Sequence, residues 1–99
     1  MRDIQRNVQA ASKLLKTMAN TSRLMVLCNI VKQEHTVSEL EKLIGLSQSA
    51  LSQHLSRLRY EGIVEYRREG QNVYYSLKDD NVRRVLEVLY DIYCETDNE

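Results

Sequence analysis

Apolar residues repeat at helical spacing through the first third of the chain. Between residues 3 and 19 they recur every three or four positions, which predicts an amphipathic first helix. A second helix follows Asn20 or Thr21, either of which can cap it, and we expect it to lie centrally because it has almost no polar face. The first stripe comprises Ile4, Val8, Ala11, Leu15 and Met18, and the second helix carries Leu24, Met25, Val26, Leu27, Cys28, Ile30 and Val31.

Two shorter helices are predicted next, separated by a tight connection. Thr36 and Glu39 have the spacing of a capping box, and the helix that they open ends at Gly45. Ser47 is the natural cap of a fourth helix, which runs to the residues before Gly62. The third helix is expected to pack inward through Val37, Leu40, Leu43 and Ile44.

The hydrophobic period changes from that of a helix to that of a strand at Ile63. Alternation through residues 63–77, interrupted by turn residues at 69–72, predicts a β-hairpin. Asp79 or Asp80 then caps a last helix, followed by a frayed acidic end at 95–99. Its inward residues are expected to be Val82, Val85, Leu86, Leu89, Ile92 and Tyr93. The pattern predicts one mainly α domain over residues 1–99 in the order α-α-α-α-β-β-α.

The fourth helix carries an apolar stripe on one side and short polar side chains on the other. Leu51, Leu55 and Leu58 form the stripe. Opposite it lie Ser49, Ser52, Gln53 and Ser56, which suit a helix that approaches base edges in the major groove. Together with the tight connection and the hairpin, this predicts a winged helix-turn-helix, with the helix-turn-helix at 37–61 and the wing at 63–77. The alternative is a solvated face on an ordinary helix.

The overall charge changes this picture only when the chain is subdivided. Fourteen basic and fourteen acidic side chains give a net charge of zero, which taken alone argues against a nucleic-acid partner. However, residues 1–78 carry twelve basic and seven acidic side chains, a net charge of +5, and residues 79–99 carry −5. Salt screens charge over ~10 Å at 0.1 M. DNA would therefore meet the basic part if the fold keeps the acidic end away.

Three motifs between residues 46 and 75 carry a family resemblance. Leu46-Ser47-Gln48-Ser49-Ala50-Leu51-Ser52-Gln53-His54-Leu55, with Gly62-Ile63-Val64 and Val73-Tyr74-Tyr75 after it, resembles the ArsR/SmtB family of winged-helix transcriptional repressors. The similarity runs from Leu14 to Cys94. It implies a homodimer through the first and last helices, at about 3–19 and 80–95, which binds double-stranded operator DNA.

Candidate DNA contacts are assigned by position on the helix and wing. Ser49, Ser52 and Gln53 are the candidates for base edges. Ser47, Gln48, Ser56 and Arg57 lie at the margins of that face and are candidates for phosphates. Arg67, Arg68 and Gln71 belong to the wing, where contact with the backbone or the minor groove is expected.

Metal-sensing members of the family use two kinds of site, and neither is matched here. Where the resemblance implies paired cysteines, the chain has Thr36 and Ser38, which cannot replace thiolates. Where it implies Asp, His, His and Glu in the last helix, the chain reads Asp79, Asn81, Ile92 and Glu95. His35 and His54 remain, and His54, which lies beside the leucine stripe, is interpreted as a packed or hydrogen-bonding residue and not as a ligand. No metal and no cofactor are predicted.

The two cysteines, Cys28 and Cys94, carry a second resemblance. With Met18-Ala19-Asn20 and Arg23-Leu24 before the first and Tyr93 before the second, they resemble the BigR/HlyU sulfur-responsive subgroup. The resemblance implies that a disulfide or polysulfide bridge joins these thiols, that reactive sulfur species are the effector, and that DNA affinity then falls. The alternative is that Cys28 is a small core residue and Cys94 an incidental thiol. Apolar neighbours and Glu95 should disfavour both thiolates, so access and sulfur separation are expected to control the reaction.

Other functional classes fit the sequence less well. It has neither a signal peptide nor an apolar run of 18 residues, so a cytoplasmic protein without a membrane partner is expected. An enzyme with Cys94 as a peroxidatic nucleophile lacks a matched base, so no enzymatic activity is expected. Two alternatives stay open: a metal-responsive repressor with a non-standard site at Cys28 and Cys94, and a dimeric protein-interaction module without DNA binding.

Overall fold

The computed structural model describes residues 3–94, and the predicted acidic end at 95–99 lies outside them. Within the described residues the elements are α1 (Asp3–Met18), α2 (Thr21–Ile30), β1 (His35–Thr36), α3 (Val37–Ile44), α4 (Gln48–Tyr60), β2 (Val64–Glu69), β3 (Asn72–Leu77) and α5 (Asp80–Tyr93). The predicted winged helix-turn-helix and the order of its helices and hairpin are confirmed. The short strand β1 was not predicted. No helix among these residues is both long and apolar enough to cross a membrane.

Local capping interactions set the helix boundaries. Asn20, rather than Thr21, caps α2, and Asp79, rather than Asp80, caps α5. Both halves of the capping box at Thr36 and Glu39 form, and Gly45 ends α3 with φ of 87°, a left-handed conformation that favours glycine. The Ser47 hydroxyl accepts from the Ala50 backbone N–H at 3.1 Å and opens α4.

The hairpin belongs to a three-stranded antiparallel sheet in the order β1-β3-β2. Tyr75 of β3 pairs with His35 on one side and with Tyr66 on the other. Strand β1 therefore attaches the base of the wing to the start of α3. Two residues are too few to show any alternation, so the sequence pattern could not predict β1.

The core lies where α2, α3, α4 and the base of the wing meet. The leucine stripe of α4 is fully buried, as predicted. The prediction of inward-facing residues is wrong at three positions: Leu43, Ile92 and Tyr93 are 54%, 63% and 76% exposed. In the described chain no element covers these three side chains, since α3 is buried through Leu40 and α5 through Val82 and Leu86. The buried apolar residues are Met18, Val26, Leu27, Ile30, Leu40, Leu51, Leu55, Leu58, Ile63, Val64, Leu77, Val82 and Leu86.

Candidate DNA-binding surface and thiol pair

The polar side of α4 faces solvent along its length. Ser49, Ser52, Gln53 and Ser56 are all exposed, as is Gln48 in the first turn. Because the buried leucines fix the rotation of the helix, these side chains are presented together on the opposite side. Ser47 is exposed as well, but its hydroxyl already caps the helix. The arrangement leaves a row of small hydrogen-bonding groups that nothing within residues 3–94 covers.

The C-terminal end of α4 is tied to α1 by a chain of polar contacts. Arg57 donates through Nε to Glu61 at 3.0 Å, and the Thr17 hydroxyl donates to the other carboxylate oxygen of Glu61. These two hydrogen bonds, Thr17 first, hold the pKa of Glu61 below its usual range. Arg57, a candidate phosphate contact, is thus already paired with a carboxylate of its own helix.

Arg23 joins the same region from α2. It is 8% exposed, and its Nε donates to the backbone carbonyl of Thr17 at 2.7 Å. Its Nη2 lies 3.5 Å from the carbonyl of Lys16. The last carbonyls of a helix have no partners within it, so Arg23 satisfies groups that α1 leaves unbonded. The end of α1 is therefore held against α2 by a buried guanidinium.

Arg67 of the wing is held by several contacts at once. Glu34, just before β1, accepts from its Nε at 3.0 Å and its Nη2 at 2.6 Å, and Glu69 accepts from Nη1 at 3.2 Å. Its guanidinium also lies over the Tyr74 ring, 4.6 Å from the centroid. Sequence reasoning did not identify Glu34, since nothing local links it to a residue 33 positions away. Arg68 and Gln71, in contrast, are exposed on the outer part of the hairpin.

The two thiols line one cavity between α2 and α5. Cys28 is exposed on the surface of α2, so the alternative of a core cysteine is wrong, and Cys94 is the C-cap of α5; both thiols are free. The cavity has a volume of about 360 Å³ and is mostly apolar. Its walls are Leu24, Cys28, Val31, Lys32, Leu86, Leu89, Tyr90, Tyr93 and Cys94.

The setting of Cys28 disfavours its thiolate, as expected from the sequence. Partial burial raises the pKa of the Cys28 thiol, the nearby Cys94 raises it further, and Lys32 opposes them. Because the thiolate is the nucleophilic form, a raised pKa leaves a smaller fraction of Cys28 reactive at neutral pH.

The histidines and carboxylates do not assemble into a metal site in the part of the chain that the structure describes. No group of three potential ligands occurs within residues 3–94, and Glu95 lies outside them. His54 is half-buried, and burial, with Arg23 and Arg57 nearby, lowers its pKa. Its position beside the core fits its interpretation as a packed or hydrogen-bonding residue.

Several known proteins are similar to this chain in both sequence and fold. Residues 20–66 match the family model described as "Bacterial regulatory protein, arsR family". The chain is 43% identical to the transcriptional activator HlyU of Vibrio cholerae, over 96% of this chain and 88% of that protein. The solved structure of reduced HlyU from Vibrio cholerae matches with a TM-score of 0.90 at 44% identity, covering 95% of this chain and 99% of that one. The transcriptional repressor BigR from Xylella fastidiosa matches with a TM-score of 0.86 at 37% identity, covering 99% and 97%.

Proposed function

The chain belongs to the ArsR family of bacterial regulatory proteins and is a DNA-binding transcriptional regulator, and from this we propose that it is a repressor that releases its operator when Cys28 and Cys94 are bridged by reactive sulfur species. The observation that carries this proposal is that both thiols line the same cavity, on two different helices. The proposal has three parts, which concern the DNA, the dimer and the thiols.

In the first part, α4 reads base edges in the major groove. Ser49, Ser52 and Gln53 contact bases, and the amide of Gln53 matches the donor and acceptor of adenine. Ser47, Gln48 and Ser56 contact phosphates from the margins. Arg57 and Arg67 join them only by exchanging a carboxylate partner for a phosphate, since each is ion-paired in the free chain. Arg68 and Gln71 complete the surface from the wing.

Replacing Gln53 with alanine should reduce discrimination between an operator and random DNA. A good bidentate base contact is worth about 1–3 kcal/mol of discrimination, so the ratio of the two affinities should fall at least fivefold. The operator is first selected from a random duplex library with the wild-type protein, and both affinities are measured by fluorescence anisotropy. Arg67→Ala is the companion variant, and it should weaken both complexes to a similar extent. Equal losses from both variants on both DNAs would contradict the division of roles.

In the second part, the regulator acts as a homodimer through α1 and α5. Apolar side chains on these helices are left about half exposed in the described chain: Ile4, Val8 and Leu15 are 48%, 58% and 55% exposed, and Val88 and Ile92 are 55% and 63% exposed. Burying them against a second copy would remove apolar surface from water. A dimer would also place two α4 helices about one turn of DNA apart.

In the third part, the thiols form a bridge by sulfur transfer. One thiolate attacks a sulfur of an inorganic polysulfide, an S–S bond breaks, and a shorter polysulfide anion leaves. The other thiolate attacks the resulting persulfide, which closes a disulfide, or a longer cysteine polysulfide at the sulfur next to its end, which closes a polysulfide bridge; hydrosulfide leaves in either case. The two cysteines are oxidised by two electrons in total, and the polysulfide is reduced by two. No further oxidant is needed.

The bridge would affect DNA binding through helix packing. Helix α2 places Val26, Leu27 and Ile30 in the core against the leucines of α4, and Cys94 ends the proposed dimer helix α5. A covalent link between α2 and the end of α5 would tilt one relative to the other and change the spacing of the two α4 helices. A tenfold loss of DNA affinity requires only about 1.4 kcal/mol, within the usual range of coupling between sites.

Exposure to polysulfide should lower operator affinity at least tenfold in the wild type and leave Cys94→Ser and Cys28→Ser unaffected. Intact-protein mass spectrometry on the same samples should show a species that has lost two hydrogens and, for a polysulfide bridge, gained whole sulfur atoms. Hydrosulfide alone is the control reagent, because it cannot oxidise the thiols, and a dithiol reductant should restore binding. Sensitivity retained in Cys94→Ser would refute the switch, whereas an untreated protein that fails to bind any duplex would refute the DNA-binding part.

A further inference from the structure

The four arginines at the end of α4 and on the wing fall into two classes by their ion pairs. Arg57 is paired with Glu61, and Arg67 with Glu34 and Glu69. Arg59 and Arg68 are exposed, and within residues 3–94 neither has a carboxylate in salt-bridge distance. The uncompensated positive charge of this region therefore lies on Arg59 and Arg68. Of the two, only Arg68 was identified from the sequence.

These two guanidiniums meet at one aromatic ring. The Arg59 Cζ lies 4.3 Å from the centroid of the Tyr66 ring, and the Arg68 Cζ lies 5.8 Å from the same centroid. The two Cζ atoms are thus at most about 10 Å apart, a distance comparable to the screening length at 0.1 M salt. Two like charges are held close together by attraction to a shared ring rather than by anions of the protein.

The fold accounts for this arrangement. Tyr66 and Arg68 are two residues apart in β2, so they share one face of the sheet. Tyr66 is braced from the next strand by Tyr75, whose ring centroid lies 5.7 Å away. Arg59 comes from the last turn of α4. Arg59, Tyr66 and Arg68 therefore connect α4 with the wing. Arg67 points to the other face of the sheet and ties the wing to Glu34.

We propose that Arg59, Arg68 and Tyr66 form a phosphate-binding site that holds the DNA backbone where α4 meets the wing. This inference rests on the DNA-binding function and names one of its anchor points. A phosphate between the two guanidiniums accepts charge-assisted hydrogen bonds from both and removes their mutual repulsion. Tyr66 is a positioning residue, since its ring orients the arginines before DNA arrives. Arg67 and Arg57 are already neutralised, so they contribute less to backbone affinity.

The test uses the salt dependence of binding to a duplex of random sequence, because phosphate contacts do not depend on sequence. Each phosphate contact contributes a slope of about −0.9 to the plot of log affinity against log salt. Removing either arginine weakens one phosphate contact in each subunit, so for Arg59→Gln or Arg68→Gln in a dimer the slope should become less steep by up to about 1.8, with an affinity loss of up to about eightfold per contact at 0.1 M salt. Tyr66→Leu should lose several-fold affinity, and Tyr66→Phe should bind like the wild type.

Arg84→Gln is the matched control, since it removes the same charge from an exposed position on α5, outside the surface proposed for DNA. Circular dichroism melts establish that each variant is folded, and Arg59 and Arg68 are both exposed, so two independent variants report on the site. A slope for Arg59→Gln equal to that of Arg84→Gln would overturn the phosphate site while leaving DNA binding intact. Failure of the wild type to bind any duplex would overturn both the phosphate site and the DNA-binding function. The two kinds of failure can therefore be distinguished.

Discussion

Replacing Leu55 with alanine should lower the free energy of unfolding by about 2–5 kcal/mol, the usual cost of removing a fully buried leucine side chain. Leu55 is 0% exposed, between Leu51 and Leu58 on the stripe that seats α4 in the core. A domain of this size has a total stability of about 5–15 kcal/mol. The variant should therefore be partly unfolded under mild conditions and bind DNA poorly for that reason.

Urea denaturation followed by circular dichroism measures this effect. The midpoint should fall while the slope with urea stays constant, and the comparison is made at several protein concentrations because dimerisation adds to apparent stability. Ser52→Ala is the matched control on the exposed side of the same helix, and it should change stability by no more than about 0.5 kcal/mol. A loss below about 1 kcal/mol for Leu55→Ala would contradict the assigned core.

Replacing Arg23 with methionine should cost about 1.5–3 kcal/mol, the range for hydrogen bonds made by a charged group. Methionine keeps an apolar stem of similar length but leaves the carbonyls of Lys16 and Thr17 without their donor. Because those carbonyls end α1, the loss should appear there first, as faster amide exchange along α1. If α1 forms the dimer interface, the dimer should also dissociate more readily.

Hydrogen exchange and sedimentation velocity separate these effects. Arg6→Met, on the exposed part of α1, provides the control, since it removes the same charge without touching the buried contacts. Arg23→Met should show faster amide exchange along α1 and more dissociation of the dimer than Arg6→Met. Equal behaviour of the two variants would mean that the buried guanidinium does not hold α1 in place.

Local signals in the sequence were sufficient for the helices and the hairpin. The caps at Asn20, Thr36, Ser47 and Asp79 formed, because each depends on atoms within three residues of one another. The α4 leucine stripe was buried for a similar reason, since its spacing is set by the helix itself. The family resemblance also held, because its motifs are continuous stretches of chain.

Predictions that depended on neighbours distant in sequence were less complete. Leu43, Ile92 and Tyr93 have the spacing of inward residues, but whether an element covers them depends on where the other helices end. Helical periodicity gives the direction of a side chain and not the extent of the core. The exposed apolar surface on α1 and α5 illustrates the same point, since a single chain leaves it uncovered.

Sequence reasoning was enough to predict the helices, the hairpin and the polar side of α4, because helix and strand periods and caps are short-range properties. It also identified the two thiols as candidates. Tertiary packing, in contrast, determines which charges remain available and which thiols line the same cavity. Glu34 neutralises Arg67 from 33 residues away, and Tyr66 gathers Arg59 and Arg68 from different elements. Cys28 and Cys94 likewise reach one cavity only because α5 returns to α2. Such pairings depend on packing between elements, which no local pattern encodes.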